Sequence, residues 1–210
     1  MLRLERLLNI TALFQEKALK TYVPNGAPDY NPKDFKKTCF FVNCMGYALN
    51  LPDHGWAFPG GLKLRSLFTL QSMVRFSDMN ADTVDQLINA DDIDQLIKSE
   101  GLESIDVDLV NKHGVDLGKH IIAAFVEPNK DFHFYRLDSD GRWSSKYGQW
   151  FISKEEKIDD VMELEQLSGG LEFVGTYAVP QSGLKYYPRL TLPKLHDRLL
   201  QPIKNITANL

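Results

Sequence analysis

Two short stretches hold the residue types from which nucleophilic catalysis is built. In VNCMGYALNL, residues 42–51, Cys44 stands where a short apolar run gives way to residues that favour helix. A thiol in the first turn of a helix lies near unpaired backbone N–H groups and the positive end of the helix dipole, both of which favour the thiolate. In DFHFYRLDSDGRWSSKYGQW, residues 131–150, His133 lies near the start of a strand whose hairpin partner returns polar side chains toward it. A thiol nucleophile, an imidazole base and a third polar group to orient the base are the parts that cysteine catalysis needs.

The remaining candidates fit less well. Cys39, inside the apolar TCFFV, is expected to be desolvated and inert. His54 falls in a Pro/Gly-rich loop and His196 in the C-terminal tail, while His120 starts a strand with no polar partner strand directly after it. Counting back from the hairpin turn puts Lys146 to Gly148 opposite His133, with Ser145 and Gln149 as diagonal neighbours. A register uncertainty of one or two residues leaves that choice open. Taken singly, a free cysteine is most often a buried small hydrophobe and a histidine most often structural. The catalytic reading depends on the pair.

Several elements must position these residues. Leu4, Leu7, Leu8, Phe14, Ala18 and Leu19 recur at helical spacing, so residues 1–24 read as an amphipathic helical arm that ends in a Pro- and Asn-Gly-containing loop. TCFFV has strand character, and CMGYALNL reads as helix. Beyond the loop PDHGWAFPGGL, helices are expected in LKLRSLFTLQSMVRF, NADTVDQLINA and DDIDQLIKSEG, the last closing on Gly101. From about residue 105 the character turns to β. HIIAAFVEP reads as a buried strand, the His133 segment as a hairpin turning at DSDG, and LEFVGTYAVP as a further strand. SKEEKIDDVMELEQLSGG carries a Ser cap, early acidic residues and a terminal Gly-Gly, and reads as helix. Residues 25–210 read as a single domain, with the tail KYYPRLTLPKLHDRLLQPIK wrapping over its body. Helices first and a mostly antiparallel sheet afterwards define an α+β protein.

Composition narrows the function classes. The 210 residues carry a net charge of −4, which gives no global attraction to nucleic acid or anionic lipid. No run approaches the ~18 apolar residues of a membrane span. Arg3, Glu5 and Arg6 interrupt the N-terminus where a Sec signal needs an apolar core. The expected setting is cytoplasmic, or export by a route that reads no Sec signal, and two cysteines are too few for a secreted disulfide framework. DSDG would place Asp138, Asp140 and Gly141 at positions 3, 5 and 6 of an EF-hand loop, yet Arg136 and Tyr147 then occupy the first and last positions, so it is a turn. No histidine pair has zinc-ligand spacing, and FPGGLKLRS lacks the Gly-Lys-Ser/Thr ending of a phosphate loop. Neither a metal nor a cofactor is expected.

NCMGYAL resembles the nucleophile segment of papain-like cysteine hydrolases, with Gly46, Tyr47 and Ala48 in the small-aromatic-small places after Cys44. DFHFYRLDSDGRWSSKYGQW resembles the same superfamily's histidine strand and hairpin, and the order of Cys before His agrees. The group includes papain-type peptidases, NlpC-type and CHAP-type amidases, and bacterial effector peptidases and deamidases. The resemblance covers residues 42–51 and 119–150. It implies a central Cys-bearing helix packed on the sheet and cleavage of an amide bond in a protein or peptide substrate. It further implies Cys44 as nucleophile, His133 as base, and Gln149 as the third member, with Ser145 at the NlpC-type place. The papain-type oxyanion Gln falls on Thr38, so Asn43 is expected to donate instead, beside the Cys44 backbone N–H. The departures at Thr38, Ser145 and Gln149 carry an alternative expectation: an inactive scaffold of the same type that binds protein.

Overall fold

Aromatic and β-branched residues crowd the chain beyond residue 120, and there they form most of the main sheet. The computed structural model describes residues 19–30, 32–36, 42–54, 57–63, 89–128, 131–148, 151–155, 158, 160–167 and 170–188. Its main sheet has four central strands and two short edge strands: β2 (Glu103–Ile105), β3 (Ile121–Glu127), β4 (Asp131–Leu137), β5 (Trp143–Lys146), β6 (Ile152–Lys154) and β7 (Glu172–Ala178), with β2 and β6 at the edges. The strand order is β2-β7-β3-β4-β5-β6, with every pairing antiparallel. A separate two-stranded sheet joins β1 (Lys20–Tyr22) to β8 (Leu184–Tyr186). The fold is mixed α+β with a mostly antiparallel sheet, as the element order implies.

Strand β3 is buried from Ile121 to Val126 without alternation, because both faces of the sheet are covered. On one face Ile122, Ala124 and Val126 meet helices α2 (Cys44–Ala48) and α3 (Ala90–Ser99), through Met45, Ile93 and Ile97 among others. On the other, Ile121, Ala123 and Phe125 meet Val110 of α4 (Val107–His113) and Leu164 of α5 (Glu163–Leu167). A short helix α1 (Pro32–Lys36) brings Phe35 against Tyr47 and Val42. Strand β7 carries a bulge: Ala124 pairs with Gly175 but Phe125 with Phe173, leaving Val174 as the extra residue.

Local sequence explains most boundaries. Asn89 caps α3 by accepting from Asp92 N–H at 2.8 Å, Asp91 and Asp92 sit in its first turn, Lys98 in its last, and Gly101 follows at φ +97°. The DSDG turn closes through the Asp138 N–H to Arg142 carbonyl bond of 2.8 Å, with Gly141 in the left-handed region that a three-residue hairpin loop needs.

Four expectations are corrected. Lys20–Tyr22, at the end of the expected arm, are a strand, because β8 pairs with them. Residues 107–113 are helical where β character was expected, since Asp106 caps α4 by accepting from Asp108 N–H. Ser153 is not a helix cap: residues 152–154 pair with β5, and helix begins only at Glu163. Tertiary pairing overrides local propensity there. The end of the loop VPNGAPDYNPKD that was expected to close the arm is helical, because α1 begins at Pro32. The rest of the helical arm, Cys39, the two helices expected between 63 and 88, and most of the tail lie outside the described residues.

Candidate functional site

Cys44 opens α2 at the place its sequence predicts, with Asn43 as the N-cap. The helix lies on β4 and β5, and the Cys44 Sγ rests 3.7 Å from the Phe132 carbonyl oxygen within the core shared by Phe132 and Phe134. Side chains alternate along a strand, so His133 leaves β4 on the opposite face from Phe132 and Phe134. Its ring lies 4.9 Å from Tyr135 and 5.1 Å from Tyr147, and Tyr135 belongs to the other core. The sheet itself separates the imidazole from the thiol.

Electrostatics follow this burial. The Cys44 thiol is pushed up to about 12, first by desolvation and then by the Asp131 charge; backbone N–H groups from Phe134, Met45 and Cys44 oppose this and do not prevail. His133 is held down at about 4 by burial alone. Near neutral pH both groups are uncharged, so no thiolate–imidazolium pair exists in this arrangement.

Asn43 is fully engaged in structure. Its Oδ1 accepts from Gly46 N–H at 3.2 Å and from Ala57 N–H at 3.0 Å, while its Nδ2 donates to the Ala57 carbonyl at 2.7 Å. The amide that was expected to face an oxyanion instead clamps the 57–63 loop to the start of α2. Gln149 lies outside the described residues. Ser145 pairs with Tyr135 across the hairpin, on the His133 side of the sheet, and its Oγ lies 3.2 Å from that of Ser153. The structure therefore groups His133 with Ser145, and leaves Cys44 with Asn43.

Sequence reasoning passed over two buried polar assemblies. Arg136, fully buried, donates from Nε and Nη2 to Asp138 Oδ1, both at 2.8 Å, and lies 4.4 Å above the Tyr47 ring. The Tyr47 hydroxyl meets Ser144 Oγ at 2.8 Å, tying α2 to β5. The signal was available: Arg136 and Asp138 are two apart in a strand and so share a face. His120, also fully buried, hydrogen-bonds the Ala48 carbonyl through Nε2 at 2.7 Å and the Tyr22 hydroxyl through Nδ1 at 3.1 Å. It braces the C-terminal end of α2, one helical turn from Cys44. His54 is buried and stacks on Tyr186 with ring centroids 5.8 Å apart.

The chain matches no family model, no curated protein and no solved structure. Among the described residues no group of three or more His, Cys, Asp or Glu could hold a metal ion, and no helix is long and apolar enough to cross a membrane.

Proposed function

We propose that the chain is a papain-like α+β scaffold that acts by binding a protein or peptide, with Cys44 serving as a packing thiol. One observation carries this reading: the thiol and the His133 imidazole occupy opposite faces of the sheet. Support also comes from the raised Cys44 thiol and from the commitment of Asn43 to Ala57. A hydrolase needs its base within hydrogen-bond reach of the nucleophile.

The alternative is a cysteine hydrolase cleaving an amide bond, as peptidase, amidase or glutamine deamidase. It is favoured by the position of Cys44 as the first helical residue, laid on the strand that carries His133. The rate of Cys44 alkylation by iodoacetamide against pH, in wild type and in His133→Ala with Cys39→Ser as background, separates the two. Binding without catalysis requires slow alkylation below pH 9, indifferent to His133. Rapid alkylation at pH 6 that is lost in His133→Ala would overturn it and establish the hydrolase.

A further inference from the structure

On the His133 face, the end of the sheet formed by β4, β5 and β6 is rich in acceptors and poor in cations. The Glu155 carboxylate accepts from Ser153 Oγ at 2.7 Å, and Ser153 meets Ser145 at 3.2 Å. Behind them the Tyr135 hydroxyl is faced by the Ser145 and Tyr147 hydroxyls without reaching hydrogen-bonding geometry to either, and His133 Nε2 has no partner among the described residues. Arg136, Lys146 and Lys154 take the alternate positions of these strands, which face the other way. Among the described residues no lysine or arginine lies within ion-pair distance of Glu155.

Burial is graded across this cluster. His133, Tyr135 and Ser145 are buried, Tyr147, Ser153 and Glu155 are half-buried, and Phe151 is 66% exposed. The rings of His133, Tyr147 and Phe151 form a ladder with successive centroids 5.1 and 5.3 Å apart and interplanar angles of 32° and 35°. The ladder thus runs from the interior to solvent, and the Glu155 carboxylate, held at Ser153, lies one same-face position along the sheet from it.

We propose that this end of the sheet binds the guanidinium group of an arginine side chain on a peptide partner. A planar cation stacks on aromatic faces and forks its N–H donors onto a carboxylate and neighbouring hydroxyl oxygens, which a lysine ammonium does less well. Burial keeps the His133 imidazole neutral, and in its Nδ1–H tautomer the unpartnered Nε2 is an acceptor at the floor. The proposal rests on the binding reading given above and names the chemistry of the partner.

The test is an NMR titration of the full chain with Nα-acetyl-arginine amide, with the citrulline and lysine analogues as comparisons. Saturable shifts at Tyr147, Ser153 and Glu155 are expected with arginine, and at least tenfold weaker binding of citrulline. Glu155→Gln should weaken arginine binding at least tenfold, and Phe151→Ala, at an exposed position, at least threefold, with thermal melts unchanged. Absence of saturable shifts, equal binding of citrulline, or an unaffected Glu155→Gln would overturn the site; lysine bound as tightly as arginine would overturn its guanidinium preference. Cys44 takes no part in this titration. Failure here with slow alkylation removes the site alone, whereas rapid His133-dependent alkylation removes the reading beneath it.

Discussion

The Cys44 thiol lies 3.7 Å from the carbonyl oxygen of Phe132, inside the core cluster that α2 shares with β4. Only 5% of Cys44 is exposed. Cys44→Ala should therefore lower stability by about 1–2 kcal/mol through the space the sulfur leaves. Urea denaturation of the purified variant measures this, and an unchanged midpoint would show that the thiol is not packed as described.

Asn43→Ala should cost about 2–3 kcal/mol, because it removes a helix cap and leaves the Ala57 N–H and carbonyl without their side-chain partner. Asn43→Ser keeps a capping oxygen and should recover about 1 kcal/mol of that loss. A thermal melt series over the three proteins gives the comparison, and equal losses in both variants would locate the effect in the Ala57 clamp alone.

The two ion pairs of the hairpin should differ sharply. Asp138→Ala strands the buried Arg136 guanidinium and should cost about 3–5 kcal/mol. Asp140→Ala removes a partly exposed partner of Lys154 and should cost less than about 1 kcal/mol. Equilibrium urea unfolding of both decides the matter; comparable losses would contradict the buried network.

Stability should fall on mild acidification. His120 is held down at about 3 by desolvation, whereas the unfolded chain takes up that proton near 6.5. Between those values the unfolded state binds more protons, so the contribution is complete above about pH 6.5 and is lost as pH falls toward about 3. From pH 7 to pH 5 this amounts to about 2 kcal/mol for His120. His54 and His133, also lowered by burial, act in the same direction, while the raised carboxyls of Glu100, Asp131 and Asp138 act oppositely at lower pH. Urea midpoints at pH 7 and 5 should show a shallower loss in His120→Gln than in wild type; parallel slopes would refute the assignment.

Elements with strong local signals were legible in the sequence. Helix α3 announces itself by its acidic first turn and Gly stop, although its cap Asn89 reads as the end of a preceding helix, and the β4–β5 hairpin by DSDG between apolar runs. Even the pairing of His133 with the region of Tyr147 follows from counting back from the turn. What could not be read was which face His133 takes. A strand covered on one side alternates and so declares its orientation, but β4 is buried from Phe132 to Leu137, and a one-residue step in register reverses every side chain. The Asn43 amide was equally ambiguous, because its partner Ala57 comes from a loop and no periodicity links them. Strands β1 and β8 are three residues each and pair across most of the chain, so neither had a local signal.

The bulge in β7 rests on a single codon, that of Val174. Tyr177 and Phe173 are four residues apart, a spacing that would place them on one face of a regular strand, yet Tyr177 belongs to the core beneath α2 and Phe173 packs on the core beneath α4. Val174 is the residue that reverses the sense. An in-frame loss of its single codon would leave the two rings three residues apart, a spacing that a regular strand places on opposite faces. Strand β7 would then straighten while its remaining residues kept both partner and face, and the cost would be confined to the contacts of Val174 itself.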